Sequence, residues 1–262
     1  MKKLFSIFAL SILLLGMSAC TSDDDSMTRQ ITGTFITNSV SLEDGQSVRV
    51  STSTVSMIWN ISESIITLNF SAEITNNNAV TVSLQDVPIE VNETYGCYTF
   101  SATNAGNGVT NLHGYYRPET GCLYIDFIAN ATHRVMCAAQ LYYPFLSIDI
   151  TNTETSKVKE NDDSEMLVVI NPKTMTAQLV MGGFAFEENS GIIQEVSFSG
   201  LSVESTATGY KVTCDEDKKS TEGNYILNNL VLNVTGSGQV VNGTFTINTK
   251  YSGTFTGRAF AN

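Results

Sequence analysis

Charged residues are scarce in this sequence, and basic residues are scarcer than acidic ones. Only 15% of its 262 residues are charged, and 14 Lys and Arg stand against 26 Asp and Glu, which gives a formal net charge of −12. A surface of that sign repels the phosphates of nucleic acids and the headgroups of anionic lipids. Nucleic acid is therefore excluded as a partner.

The residues of hydrolytic and metal sites are equally few. The chain has two histidines and no Gly-x-Ser-x-Gly segment, whereas acyl transfer needs a nucleophile, a base and an orienting acid. His133 and Cys137 would lie about 13 Å apart on a strand, too far to ligate one ion, and would be neighbours only if residues 132–141 were helical. We identify no catalytic residue and no metal site, and expect neither enzymatic activity nor a cofactor.

Long apolar runs are confined to the N-terminus. Lys2 and Lys3 precede an apolar segment at residues 4–15, which is too short for a comfortable membrane span. The following Met17-Ser18-Ala19-Cys20 resembles the bacterial lipobox. The resemblance implies that residues 1–19 are a lipoprotein signal peptide and that Cys20 carries the acyl groups that hold the chain at a membrane.

An acidic segment comes directly after Cys20. We interpret residues 20–30 as an acidic flexible tether, because like charges repel and resist burial. The run Asp23-Asp24-Asp25 also resembles the surface-export tag of Bacteroidetes lipoproteins, which implies an outer-membrane location facing the cell exterior. Asp25-Ser26-Met27 resembles the O-glycosylation acceptor of that group, with Ser26 as the attachment site.

The rest of the chain is rich in Thr, Ser, Asn, Val and Ile, which suit strands and turns. Short runs such as residues 65–70 and 230–234 alternate apolar and polar side chains, the pattern of half-buried strands. Patterns typical of long helices are missing. We therefore predict an all-β mature chain with little or no helix.

Two related domains are predicted from a polar interruption and an internal similarity. Residues 151–164 contain Val158 as their only large aliphatic side chain, so we interpret them as a polar linker between a first β-domain at 31–150 and a second at 165–262. Residues 82–90 and 196–204 share the pattern Val-Ser-apolar-x-x-apolar-x-apolar-Glu at a spacing of 114 residues.

Antiparallel domains of this kind are barrels or sandwiches, and the pattern leaves both open. The strands are punctuated by Thr and Gly and end in Tyr251-Ser-Gly-Thr-Phe-Thr-Gly257. This texture resembles the calycin-like (lipocalin-like) barrels of uncharacterised Bacteroidetes surface lipoproteins. No diagnostic motif accompanies it, so no catalytic residue is carried over.

Four cysteines remain besides Cys20, and in an exported protein their thiols can be oxidised to disulfides. They are Cys97, Cys122, Cys137 and Cys214. We expect a disulfide between Cys97 and Cys122, with buried thiols as the alternative.

Aromatic residues are concentrated in the first half of the chain. Seven of the ten tyrosines lie between positions 95 and 143, and the single tryptophan is Trp59. Tyrosine combines an apolar face with a polar tip, which suits binding surfaces, although it is also a good strand former. We expect ligand binding by Trp59, Tyr115, Tyr116, Tyr142 and Tyr143, with one member of each tyrosine pair exposed.

These observations favour a lipid-anchored, non-enzymatic surface module that binds a glycan, a small ligand or a host molecule. The alternative is a fimbrillin-like subunit assembled by strand exchange. In that family an N-terminal segment is removed after an arginine, and the resemblance would assign that role to Arg29.

Overall fold

The fold consists of strands and turns. The computed structural model describes residues 28–92, 97–117, 122–138, 140–171, 173–206, 208–235 and 240–259. The described residues form no helix and contain no helical segment with the length and hydropathy of a membrane span. The first nine strands are β1 (Thr28–Ser41), β2 (Ser47–Asn60), β3 (Ile65–Thr75), β4 (Asn78–Pro88), β5 (Glu90–Asn92), β6 (Cys97–Gly106), β7 (Val109–Arg117), β8 (Cys122–Ala129) and β9 (His133–Ala138). The remaining nine are β10 (Gln140–Asn152), β11 (Val158–Asn171), β12 (Thr176–Gly182), β13 (Val196–Thr206), β14 (Gly209–Thr213), β15 (Lys218–Lys219), β16 (Ile226–Thr235), β17 (Val240–Ile247) and β18 (Tyr251–Arg258).

The first nine strands close into a ring that we call barrel 1. Strand β1 pairs antiparallel with β2 on one side and with β9 on the other. The sheet runs in the order β4-β3-β2-β1-β9-β8-β7-β6-β5. Only Ile89 separates β4, which pairs with β3, from β5, which pairs with β6. The long strand β4 and the three-residue strand β5 therefore follow one another at one position of the ring, which is an antiparallel up-and-down barrel.

The remaining strands close in the same way into barrel 2. Strand β10 pairs with β11 and with β18, and β14 pairs with both β13 and β16. The two-residue strand β15 lies beside β16 as an extra segment. The prediction of two related antiparallel β-domains is thus confirmed, and each is a barrel.

Apolar side chains fill the inside of barrel 1. Alternate residues of each strand point inward, as strand geometry requires. Phe35, Leu68, Phe70, Leu112 and Phe127 are among the buried residues that pack together there. The interior of a small barrel is just wide enough for its own side chains, so this filling leaves the ends and the outer faces for binding.

The domain boundaries predicted from the sequence are wrong. The chain divides into compact units at 139/140, not at a linker. Residues 151–164 are the end of β10, a turn and the first half of β11. Buried polar side chains explain the error, because Asn152, Asn161 and Ser164 occupy positions where apolar residues would have marked a strand.

A β-bulge recurs at the same place in both barrels. Between β3 and β4 the register shifts after Ile66, and between β12 and β13 it shifts after Ala177. The bulged residues are Asp86, with a φ of 51°, and Gly200, with a φ of 71°. Residues 82–90 and 196–204, which share a sequence pattern, are the two strands that carry this bulge.

Turn hydrogen bonds repeat as well. Ile89 donates its N–H to the carbonyl of Ser64 at 2.9 Å, and Val203 donates its N–H to the carbonyl of Met175 at 3.0 Å. Ser64 and Met175 both have positive φ, at 54° and 52°. A shared bulge and a shared turn make the two barrels equivalent strand by strand.

The loop at 183–195, between β12 and β13, is specific to barrel 2. In barrel 1 the equivalent strands meet at a tight turn around Asn77, whereas this loop contacts residues near the ends of β10, β11 and β18. Buried Asn161 holds the loop: its Nδ2 donates to the carbonyl of Ala185 at 3.2 Å, and its Oδ1 accepts the N–H of Ala185 at 2.8 Å.

Glu187 in the same loop accepts hydrogen bonds from Tyr251 and Asn152, which lower the pKa of its carboxyl group.

The positive φ at the bulge predicts that exchanging Asp and Gly there changes the stability of the two barrels in opposite directions. Asp86→Gly should stabilise barrel 1 by about 0.5 kcal/mol, and Gly200→Asp should destabilise barrel 2 by about 1 kcal/mol, because only glycine adopts a positive φ without steric cost. Space is not the cause, since the one atom within 4 Å of a Cβ built at Gly200 is the Lys218 Nζ at 3.8 Å. Urea unfolding followed by Trp59 fluorescence reports on barrel 1, and hydrogen exchange of β13 reports on barrel 2.

The control for these substitutions is Gly191→Asp, which adds the same side chain in open space at a residue without positive φ. It should change stability by less than about 0.5 kcal/mol. An equal loss of stability in Gly191→Asp and Gly200→Asp would contradict the role of the backbone conformation.

The anchoring of the loop predicts that Asn161→Ala releases it. The substitution leaves the buried N–H and carbonyl of Ala185 without their partner, a cost of about 1–3 kcal/mol. Asn161→Asp should be worse, because it places a carboxylate oxygen against the carbonyls of Ala185 and Ile148, which now accept from Nδ2. Cleavage by a Glu-specific protease at Glu187 should accelerate in both variants.

Asn242→Ala, at an exposed position on β17, is the matched control and should leave the cleavage rate unchanged. If Asn161→Ala were cleaved no faster than the parent protein, the loop would be held by other contacts.

Candidate functional site

Three aromatic side chains meet at one end of barrel 1. Trp59 lies near the end of β2, and Tyr98 and Tyr116 are direct cross-strand partners on β6 and β7. The ring of Trp59 lies 4.5 Å from that of Tyr98 and 5.7 Å from that of Tyr116, measured between centroids. Both contacts are tilted or edge-on, the arrangements that aromatic pairs prefer.

Arg29 completes this end of the barrel. It pairs with Trp59 across β1 and β2, and its Cζ lies 6.0 Å from the centre of the tryptophan ring. A guanidinium at that distance is attracted to the face of the ring. We call the set Arg29, Trp59, Tyr98 and Tyr116 the barrel 1 mouth.

The polar groups of the mouth have unused hydrogen-bonding capacity. Among the described residues, neither the hydroxyls of Tyr98 and Tyr116 nor the guanidinium of Arg29 has a hydrogen-bond or ion-pair partner. Burial raises the pKa of Tyr116, and the charge of Arg29 partly opposes that rise. The tyrosine hydroxyl therefore stays protonated at neutral pH and can donate a hydrogen bond.

Access to the mouth is graded. Trp59 is only 4% exposed and Tyr116 only 6%, whereas Tyr98 is half-buried and Arg29 is exposed. A ligand would therefore meet Arg29 and Tyr98 first, with Trp59 beneath them.

The equivalent end of barrel 2 has a different composition. Trp59 pairs with Ile66 as Ile170 pairs with Ala177, and Tyr98 pairs with Tyr116 as Tyr210 pairs with Val234. Ile170, Tyr210 and Val234 are all buried. The combination of a cation with a half-buried tyrosine beside buried aromatic rings is therefore a property of barrel 1 at this position.

The structure brings together two of the five predicted binding residues, Trp59 and Tyr116, and adds Tyr98, which the sequence reasoning missed. Tyr98 lies in the run Tyr98-Thr-Phe100, and this alternation with Phe100 is the sequence signal that could have placed Tyr98 on the inner face of its strand.

The other three predicted residues lie elsewhere. Tyr115 stacks on Tyr124 at 5.5 Å, Tyr142 donates its hydroxyl to Glu165, and Tyr143 is fully buried.

The prediction that one member of each tyrosine pair is exposed is wrong for Tyr115 and Tyr116, which are both buried. Tyr116 points into the barrel, while Tyr115 is covered on the other side of the strand. Tyr142 is half-buried beside the buried Tyr143. Strand alternation alone does not decide which face meets solvent.

The expected disulfide between Cys97 and Cys122 is absent, as no disulfide joins the four described cysteines. Cys122 pairs with Arg117 across β7 and β8, and Cys97 lies opposite Arg117 on β6, one position before the Tyr98 pair. The two cysteines are therefore two strands apart, roughly 10 Å, whereas a disulfide needs Cα atoms within about 7 Å.

The other residues singled out from the sequence are placed as follows. His133 and Cys137 both lie on β9, so the helical alternative for residues 132–141 is wrong over the strand. The described residues contain no group of three His, Cys, Asp or Glu side chains that could hold a metal ion. Cys20, Ser26 and the acidic run lie outside the described residues, and their roles stay predictions.

Few known proteins match this chain. No protein-family model and no curated protein matches the sequence. Among solved structures, the isotype 1 transferrin binding protein B (TbpB) from serogroup B Neisseria meningitidis is matched at 7% identity, over 89% of this chain and 77% of that one, with a TM-score of 0.27. A likeness at this level supports no inference about fold or function.

Proposed function

We propose that this chain is a lipid-anchored, non-enzymatic binding protein whose site is the barrel 1 mouth. One observation carries the proposal: the polar groups of Arg29, Tyr98 and Tyr116 surround Trp59 and have no partner in the described part of the chain. Because Arg29 is exposed and Tyr98 is half-buried, their polar groups can bond solvent or a ligand. A largely apolar surface with a few convergent polar groups is the usual composition of a ligand site.

The chemistry of the mouth suits a ligand with both an apolar face and polar edges. Aromatic rings supply contact area at a low cost in side-chain entropy, and the hydroxyl and guanidinium groups orient what binds to them. A glycan, a small ligand or an exposed segment of a host molecule meets these requirements.

The proposed location rests on the N-terminal sequence. The lipobox-like Met17-Ser18-Ala19-Cys20 and the acidic run that follows support attachment to the outer membrane with the barrels facing outward. A site at the open end of a barrel would then be accessible to molecules outside the cell.

The alternative of strand exchange between fimbrillin-like subunits needs an open sheet edge or a strand that can leave its ring. Strand β18 pairs on both sides, and β1 pairs with both β2 and β9 over Ile36–Val40. Residues 28–35 of β1, which include Arg29, pair with β2 alone, so they are the part of the described chain that this alternative would use.

The binding proposal predicts that Tyr98→Ala weakens binding about tenfold, the loss expected for one aromatic contact. Candidate ligands come from a glycan array, and each positive is titrated while the emission of Trp59 is recorded. Because Trp59 is the only tryptophan, its emission reports directly on the mouth.

Tyr225→Ala, at a half-buried tyrosine of barrel 2, is the control and should bind like the parent. The site assignment fails if Tyr98→Ala binds every positive ligand as tightly as the parent, or if no positive ligand changes the emission of Trp59.

The anchor predicts that Cys20→Ser releases the protein from the envelope, because the acyl groups would have no thiol to attach to. Fractionation of cells should show the parent in the membrane fraction and the variant in the soluble fractions. Cys214→Ser, at a cysteine of barrel 2, should fractionate like the parent. Retention of Cys20→Ser in the membrane would refute lipid anchoring.

A further inference from the structure

Within the described part of the chain, Arg29 has no acidic partner. Two other arginines do have one: Arg49 pairs with Glu73 and Arg134 with Asp126. No carboxylate of the described residues lies within ion-pair distance of Arg29. Its guanidinium presents five N–H donors in a fixed plane, which match the two oxygens of a carboxylate.

The second cation held over an aromatic ring provides a direct comparison. The Nζ of Lys250 lies 5.3 Å from the ring centre of Tyr251 in barrel 2. Glu154 lies 3.4 Å and Glu187 3.9 Å from that ammonium group, so its charge is already compensated. Of these two cation–aromatic pairs, Arg29 over Trp59 is the one whose cation has no carboxylate partner among the described residues.

The aromatic rings limit what kind of anion can use this charge. A bare inorganic anion would leave the apolar face of Tyr98 without a contact, although this half-buried ring lies 4.5 Å from Trp59. A pyranose ring carrying a carboxylate fits both requirements, because its C–H face stacks on tyrosine while its carboxylate reaches the guanidinium. The hydroxyls of Tyr98 and Tyr116 can then bond the sugar hydroxyls.

We infer that the barrel 1 mouth binds acidic glycans, with Arg29 engaging the carboxylate of a uronic-acid-type sugar whose ring stacks on Tyr98. The inference rests on the proposed function and adds the ligand class. In this arrangement Arg29 selects ligands that carry a negative charge, and Tyr98 contributes to the affinity for charged and neutral ligands alike. The contribution of Arg29 is electrostatic at an exposed position, so added salt weakens it.

The test uses the full-length chain and two probes that differ only in charge, tetragalacturonic acid and its methyl-esterified form. Trp59 emission follows both titrations. The parent should bind the acid at least tenfold more tightly than the ester, and the difference should shrink as salt is raised. Arg29→Gln should lose most of this preference, because it weakens binding of the acid much more than binding of the ester, whereas Arg29→Lys should retain part of the preference.

Lys250→Gln, at the compensated cation, is the matched control and should keep the full preference. Arg29 is exposed, and circular dichroism together with the thermal midpoint confirms that each variant is folded. Equal binding of acid and ester, or an unchanged preference in Arg29→Gln, would overturn the inference. Either result would remain compatible with a neutral ligand that binds at the mouth. If the acid does not bind at all, the acidic ligand class is refuted, whereas the proposed function is judged separately by the array and by Tyr98→Ala.

Discussion

Closure of each sheet by backbone hydrogen bonds is the constraint on which the rest of this protein depends. Barrel 1 closes where β1 pairs with both β2 and β9, and barrel 2 closes where β10 pairs with both β11 and β18. At Ile89 the chain changes partner from β3 to β6 without leaving the ring. A strand paired on both sides exposes no edge to other chains. Closure also fixes which residues of each strand face inward, since a slip of one residue would exchange the two faces.

Closure then decides where a ligand can bind. The interior of barrel 1 is filled by its own side chains, so the ends carry the variation that a function requires. The two barrels use equivalent ends differently. Where barrel 1 has Trp59 and Tyr116, barrel 2 has Ile170 and Val234. Of the two equivalent ends, the one in barrel 1 therefore carries exposed Arg29 and half-buried Tyr98, whereas the positions compared in barrel 2 are buried.

Strand content and the internal repeat could be predicted from the sequence because both follow from local chemistry. Alternation identifies strands, and the shared pattern at 82–90 and 196–204 falls on the two strands with the same bulge. Barrel or sandwich could not be decided, since alternation is the same in both. The supposed linker and disulfide failed because burial of Asn161 and the register of Cys97 depend on strands distant in the chain.

The tyrosines show why counting aromatic residues finds a region but not a site. Tyr142 and Tyr251 each donate the hydroxyl to a glutamate of the same barrel, Glu165 and Glu187, so their polar tips are already engaged. Tyr98 and Tyr116 have no such partner in the described part of the chain. The difference is invisible in composition, because it depends on which residues the fold brings beside each tyrosine hydroxyl. Within the described part of the chain, tyrosine hydroxyls and a guanidinium that all lack a protein partner distinguish the mouth, and closure of the barrel brings Arg29, Tyr98 and Tyr116 to the same end.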